Sequence, residues 1–328
     1  MLAFKRRAYA LAATMNTDKP TRLGVELALL ALLAGLWGSS YLLIKVALTS
    51  FPPFTLMAVR VTLASAFLLV VMTTRSEQLP RDGASWRALF VQSLLNSSLA
   101  WLVLAWGQQY LPSGLAGVLN STSPLFVFLL TAFSAQRRTQ SIAKLAGVVM
   151  GFVGVALVVG LDVLQGLGQQ TLAQGAVLFG AFLYACAAMN GKRLAHLSPL
   201  VTATGTMLWA ALTLVPLSLA FEHPWTLRPS ALACLAAATL ALLGTGVALI
   251  IYFRLIKTLG PMGVASQSYL RAGVSVLLGF LILGEQPPPS VLIGLVITIT
   301  GVALINWPAR PAPYDDRTTT AKTERATS

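Results

Sequence analysis

Residues 143–161 read AKLAGVVMGFVGVALVVGL, and residues 290–307 read SVLIGLVITITGVALINW. Each is apolar over nearly its whole length, and crossing a hydrocarbon core about 30 Å thick takes roughly 20 such residues in a helix. Both contain the same tetrapeptide, Gly154-Val155-Ala156-Leu157 and Gly301-Val302-Ala303-Leu304, at a spacing of 147 residues. That shift also relates Lys45 to Lys192, Pro52 to Pro199, Ala64 to Ala211 and Gly147 to Gly294. Apolar sequence of low complexity can produce one four-residue match by chance. Shared Lys and Pro at the same shift are a rarer coincidence, and they point to two copies of one unit.

Working outward, further apolar blocks lie near 27–48, 54–73, 89–110, 114–134, 172–191, 200–220, 230–253 and 262–283, which makes ten spans in all. Only 10% of the 328 residues are charged and 56% are hydrophobic, whereas a soluble domain carries roughly 25% charge. Lipid is therefore the expected solvent. The net charge of +13 does not indicate nucleic acid, because the basic residues form short clusters between spans and no continuous face. Of the 23 Lys and Arg, 19 fall on one set of alternating segments, and the opposite loops hold only Arg228. Positive residues mark the cytoplasmic side, so both termini are expected there. The N-terminus reads as a cytosolic tail and not as a cleaved signal.

Five spans per copy is an odd number, so the second copy must enter the membrane from the other side. The expected fold is all-α: two inverted five-helix repeats, the arrangement that supports alternating access around a midplane site. The division is a tail over 1–26, repeats over 27–161 and 172–307, and a polar, disordered tail over 308–328.

The chain resembles the drug/metabolite transporter superfamily, in its form with two EamA domains. The resemblance rests on Trp37-Gly38-Ser39-Ser40 in the first span, then Pro52 and Arg60, then the start of the fourth span with Pro124. In the second copy it rests on Leu259-Gly260-Pro261-Met262-Gly263-Val264-Ala265, Leu283-Gly284-Glu285, Gly294 and Gly301 to Leu304. It implies a ten-helix carrier in the inner membrane, often an exporter of amino acids or other metabolites. Two departures stand out at the 147-residue shift: Arg137-Arg138 occupies the place of Gly284-Glu285, and Arg271 the place of Pro124. No family role is carried onto Arg271.

Three cations lie within apolar blocks: Lys45, Arg60 and Arg271. A charge near mid-bilayer costs roughly 2.5–3.5 kcal/mol, so it usually faces a cavity or a partner. Lys45 and Arg60 lie near enough to a span end to snorkel. Arg271 is the deepest, with a cavity role favoured over a bond to backbone carbonyls. Asn96 and Asn120 cannot cheaply face lipid, which leaves interhelical hydrogen bonding or a cavity lining. Trp101 lies away from the interfacial belt, and Tyr184, Thr245 and Tyr252 add further polar groups on the sixth and eighth spans. Asn120 and Gln267 are repeat equivalents, an amide kept in both copies. The candidate substrate-binding set is thus Arg271, Gln267, Arg60, Trp101, Asn96, Asn120 and Tyr184.

No Asp or Glu lies near a span centre, which argues against a carboxylate proton relay and leaves a positive cavity suited to a carboxylate-bearing solute. Glu285 reads as a helix-end feature, and the glycines Gly147, Gly151 and Gly154 as a packing stripe. Cys186 and Cys234 sit inside apolar blocks, and His196 and His223 lack ligand spacing, so no metal or cofactor is implied. Gly160 to Gly168 lacks the GK[ST] ending of a nucleotide loop. The expected partners are a small-molecule substrate and the bilayer, with no nucleic acid; the oligomeric state stays open. The rival readings are a membrane enzyme, which would need a clustered nucleophile, base or metal set, and a non-transporting scaffold.

Overall fold

The computed structural model describes residues 19–132, 142–159, 169–259, 264 and 267–306. The far N-terminal tail, Arg137-Arg138, Gly160 to Gly168, Gly260 to Gly263 and the tail over 308–328 fall outside them. Among the described residues there are helices and no strand. In chain order, α1 is Lys19–Ala47, α2 Pro53–Thr74, α3 Gly83–Tyr110, and α4 two pieces, Ser113–Asn120 and Ser123–Ala132. Then α5 is Ile142–Val159, α6 Gln169–Asn190 and α7 Pro199–Phe221; α8 runs Ala231–Ala241, Leu242–Val247 and Ala248–Thr258; α9 is Gln267–Leu283 and α10 Pro289–Asn306. Seven helices are long and apolar enough to cross a bilayer, and α5, α9 and α10 contribute the shorter apolar stretches Ala146–Val158, Leu270–Leu283 and Pro289–Gly301.

The helix starts follow capping chemistry. Asp82 accepts from the Ser85 N–H (2.7 Å) at the head of α3, Ser198 from Val201 at α7, and Ser230 from Ala233 at α8, each satisfying a donor that the first turn leaves open. Pro53 and Pro199 each stand at the first position of their helices, α2 and α7, where a missing N–H costs nothing.

Three elements differ from the expected spans. Helix α1 begins at Lys19, inside the expected tail, and α3 begins at Gly83, a turn and a half before the apolar block. The fourth span is two helices, because Pro124 lacks an N–H and its ring would clash with the Asn120 carbonyl; the chain turns at Ser121-Thr122 and restarts. Its repeat equivalent has Arg271 in place of that proline, and α9 runs unbroken through the position. Both α3 and α8 also carry a π turn, Leu94–Ser98 and Leu242–Val247, which overlap when shifted by the repeat.

The two copies pack as a pseudo-twofold pair. Helix α2 lies on α7 and α5 on α10; α1 meets α9 as α6 meets the second half of α4, and α3 meets α6 as α8 meets α1. Helices α5 and α10 run antiparallel. A Cβ on Gly301 would lie 2.5 Å from the Gly147 carbonyl oxygen, and one on Gly154 would lie 2.8 Å from that of Gly294. The glycine stripes therefore meet backbone to backbone, which is how small residues let helices associate in lipid. The equivalent helices point in opposite directions, so the repeat is inverted.

Candidate functional site

Two reciprocal bonds tie the repeats at their ends. Glu77, just after α2, accepts from the hydroxyl of Ser198, the cap of α7. Glu222, just after α7, accepts from the Phe54 and Thr55 N–H groups (3.0 and 2.6 Å) at the head of α2. Each carboxylate sits where an N-terminal dipole favours negative charge. At the end bearing the basic loops, Glu26 on α1 is also paired with Arg254 (2.9 Å) and accepts from the Thr258 hydroxyl on α8 (2.9 Å).

At the opposite end, the turn joining α3 to α4 is clamped from both sides. The Lys45 ammonium donates to the carbonyls of Gln108 and Leu111, each at 2.8 Å, which end α3 without helical partners. Lys45 thus caps a helix near its own span end, its donors meeting the negative end of the α3 dipole. Glu285 accepts from the Ser113 and Gly114 N–H groups (2.6 and 3.0 Å) and from the Ser113 hydroxyl (3.1 Å) at the head of α4. It is the helix-end residue that its place before Pro287 suggested. Replacing it with Gln leaves one acceptor where two oxygens now serve three donors. We expect Glu285→Gln to destabilise the purified protein by about 1–3 kcal/mol, read as a lowered midpoint of thermal unfolding in detergent; an unchanged midpoint would contradict the clamp.

Between these ends lies a polar cluster in the bundle interior. Arg60 on α2 is buried and does not reach for the interface. Its Nε donates to Thr245 Oγ1 (2.9 Å), and its guanidinium carbon stacks 3.6 Å from the centroid of the Trp101 ring. A desolvated cation over Trp gains about 2 kcal/mol or more. Thr245 can accept because its own hydroxyl donates to the Leu240 carbonyl (3.0 Å) across the π turn of α8. Trp101, on α3, belongs to the buried core against which Tyr184 on α6 packs, and the Tyr184 hydroxyl lies within electrostatic reach of Tyr41, Arg60 and Arg271. Asn120 ends the first half of α4, and its amide donates to the Tyr41 hydroxyl (2.5 Å) on α1.

Arg271 stands on α9 against α1, where its carbonyl oxygen is 3.0 Å from a Cβ built on Gly38. Among the described residues the buried Nε of Arg271 has no hydrogen-bond partner, nor do Asn120 Oδ1 and Gln267 Oε1. Among the described residues neither arginine has a carboxylate partner. Seven helices thus contribute to one uncompensated positive centre.

Of the candidate residues, Arg60, Trp101, Asn120, Tyr184 and Arg271 converge here, with Gln267 one turn before Arg271. Asn96 does not join them: it lies in the π turn of α3, and its amide donates to the neighbouring Ser97 hydroxyl (3.1 Å). Sequence reasoning missed Tyr41. Its signal was its place one turn after Trp37 and one turn before Lys45, on one face of α1.

The EamA-like transporter family model matches residues 25–160 and again residues 171–307. The chain belongs to that family. Among the similar EamA-like proteins is one from Escherichia coli (strain K12) named "Uncharacterized inner membrane transporter YedA", 27% identical over 84% of this chain and 90% of that protein. A Streptantibioticus cattleyicolor protein named "Probable terminal-alkyne amino-acid exporter" is 28% identical over 82% of this chain and 89% of its own length. A solved crystal structure shares the fold at a TM-score of 0.64 and 19% identity, covering 93% of this chain and 99% of that one. The family makes this a membrane transporter, in keeping with its apolar helices.

Proposed function

We propose that this EamA-like transporter exports amino acids or related carboxylate-bearing solutes across the inner membrane by alternating access. The binding residues in this reading are Arg60, Trp101, Asn120, Tyr184, Gln267 and Arg271. The observation that carries it is that three of the buried polar atoms without partners among the described residues belong to this candidate set: the Arg271 Nε donor and the carbonyl acceptors of Asn120 and Gln267. A buried polar atom left unpaired costs about 1–3 kcal/mol, so the cluster gains most from a solute that brings both an acceptor and a donor. A carboxylate with a nearby ammonium supplies both. Export and inner-membrane residence are supported by the names of two relatives. The cross-repeat bonds at both ends supply two latches, and opening one at a time would expose the cluster alternately to each side.

The loop charges support cytoplasmic termini. A reporter fused after Arg193 should read cytoplasmic and one fused after His223 external; the same reading from both would overturn the topology. Coupling follows from the missing carboxylates. Efflux of labelled amino acid from loaded proteoliposomes should proceed at the same rate, within about twofold, after a pH gradient is collapsed and sodium removed, because no acidic relay lies at the centre. Efflux that stops when the proton gradient is collapsed would overturn that mode of transport, and no efflux of any amino acid would overturn the substrate class.

A further inference from the structure

Away from the central cluster, a pocket of about 440 Å³ opens at the basic end of the bundle. Asp82, Ala84, Ser85, Arg87, Ala88 and Val91 line one wall, from the head of α3, and Arg193 and His196 line the other, from the segment joining α6 to α7. The walls belong to different repeats and are fixed to each other. His196 Nε2 is hydrogen-bonded to the Ser85 hydroxyl (2.9 Å), and the Asn190 amide donates to the Ala88 carbonyl (3.1 Å) and to Gln92 Oε1 (3.0 Å).

The placement is interfacial. The pocket lies at the first turns of a membrane-spanning helix, and Trp86, bonded to the Pro80 carbonyl, stacks edgewise on Trp209 beside it. Tryptophans of this kind anchor helices at the headgroup level. Along α3 the lining runs from Asp82 and Arg87 near the helix head to Ala88 and the exposed Val91 further in, with Arg193 on the facing wall, so charged groups and apolar surface adjoin as phosphate and chain do in a phospholipid. The charge is mixed: two guanidiniums and one carboxylate. The Ser85 backbone N–H holds the Asp82 carboxyl below its usual range, so Asp82 is anionic at neutral pH and opposes a ligand that is purely anionic.

We propose that this pocket seats one phospholipid headgroup, its phosphate on Arg87 and Arg193 and the ammonium of a phosphoethanolamine on Asp82. Basic pockets at membrane-facing helix ends hold phosphate headgroups through such contacts. A bound headgroup would bridge the two repeats at the end where Glu77 already ties them.

The test uses the full-length protein in detergent, titrated with phosphatidylethanolamine, with phosphatidylcholine, whose methylated ammonium cannot donate, and with inorganic phosphate, each followed by native mass spectrometry. Phosphatidylethanolamine should bind at least about tenfold more tightly than phosphatidylcholine, the difference one charge-assisted hydrogen bond makes. Asp82→Asn, which keeps the helix cap, should bring the two lipids to parity. Arg87→Gln with Arg193→Gln should weaken both by about 30-fold, as two basic residues at a lipid surface predict, and the corresponding Lys pair should retain binding. Undiminished lipid binding in the Gln pair would overturn the proposal. So would equal binding of the two lipids by the parent protein, or displacement of lipid by millimolar inorganic phosphate, which would mark a site for soluble anions.

Discussion

An Arg60→Met protein is expected to fold and insert normally yet carry solute roughly 10–100-fold more slowly than the parent, the factor that loss of one hydrogen bond to a charged group produces. Methionine fills the space over the Trp101 ring with a stem of similar length, and the Thr245 hydroxyl keeps its bond to the Leu240 carbonyl. Removing a buried charge also removes its desolvation cost, so replacing it with an apolar residue is often neutral or stabilising. A purely structural Arg60 would then leave transport near its original rate. A positive charge that helps hold an anionic solute would not. Initial efflux rates from proteoliposomes, matched for reconstituted protein, distinguish the two, and a rate within about twofold of the parent would remove Arg60 from the site.

Much of this architecture was legible in the sequence because bilayer constraints are severe. Apolar blocks about 20 residues long admit few alternatives, and a 147-residue shift that keeps Lys and Pro in step points to a duplicated unit. The repeat also led to Asn120 and Gln267, two of the four amides whose buried carbonyls stand unpaired among the described residues. Other features needed three dimensions. The stacking of Arg60 on Trp101 joins α2 to α3, and the bond from Asn120 to Tyr41 joins α4 to α1; no local pattern marks either pairing. The π turns in α3 and α8 shift the register by a single residue, too little to disturb an apolar block but enough to aim Thr245 at Arg60. For Lys45 the place near a span end was legible, and its partners, the last carbonyls of α3, were not. The break in α4 was foreshadowed by Pro124, whose missing N–H was visible from the start.

Arg271 carries the central claim. It stands where the first copy has the helix-breaking Pro124, and α9, from Gln267 to Leu283, continues through that position; its charge lies within electrostatic reach of the Tyr184 hydroxyl. Among the described residues its buried Nε lacks a partner and no acid neutralises it. A planar guanidinium can hold a carboxylate through two parallel bonds, whereas an ammonium acts as a point charge. Lysine should therefore preserve part of the activity and methionine essentially none.

The most direct measurement is labelled amino-acid efflux from proteoliposomes holding equal amounts of parent, Arg271→Lys and Arg271→Met protein, each shown to be folded by its thermal unfolding midpoint. The account predicts that the Met variant transports at least about 100-fold more slowly than the parent, as loss of a bidentate charged contact implies, with the Lys variant in between. Parental efflux by a folded Arg271→Met protein would contradict it.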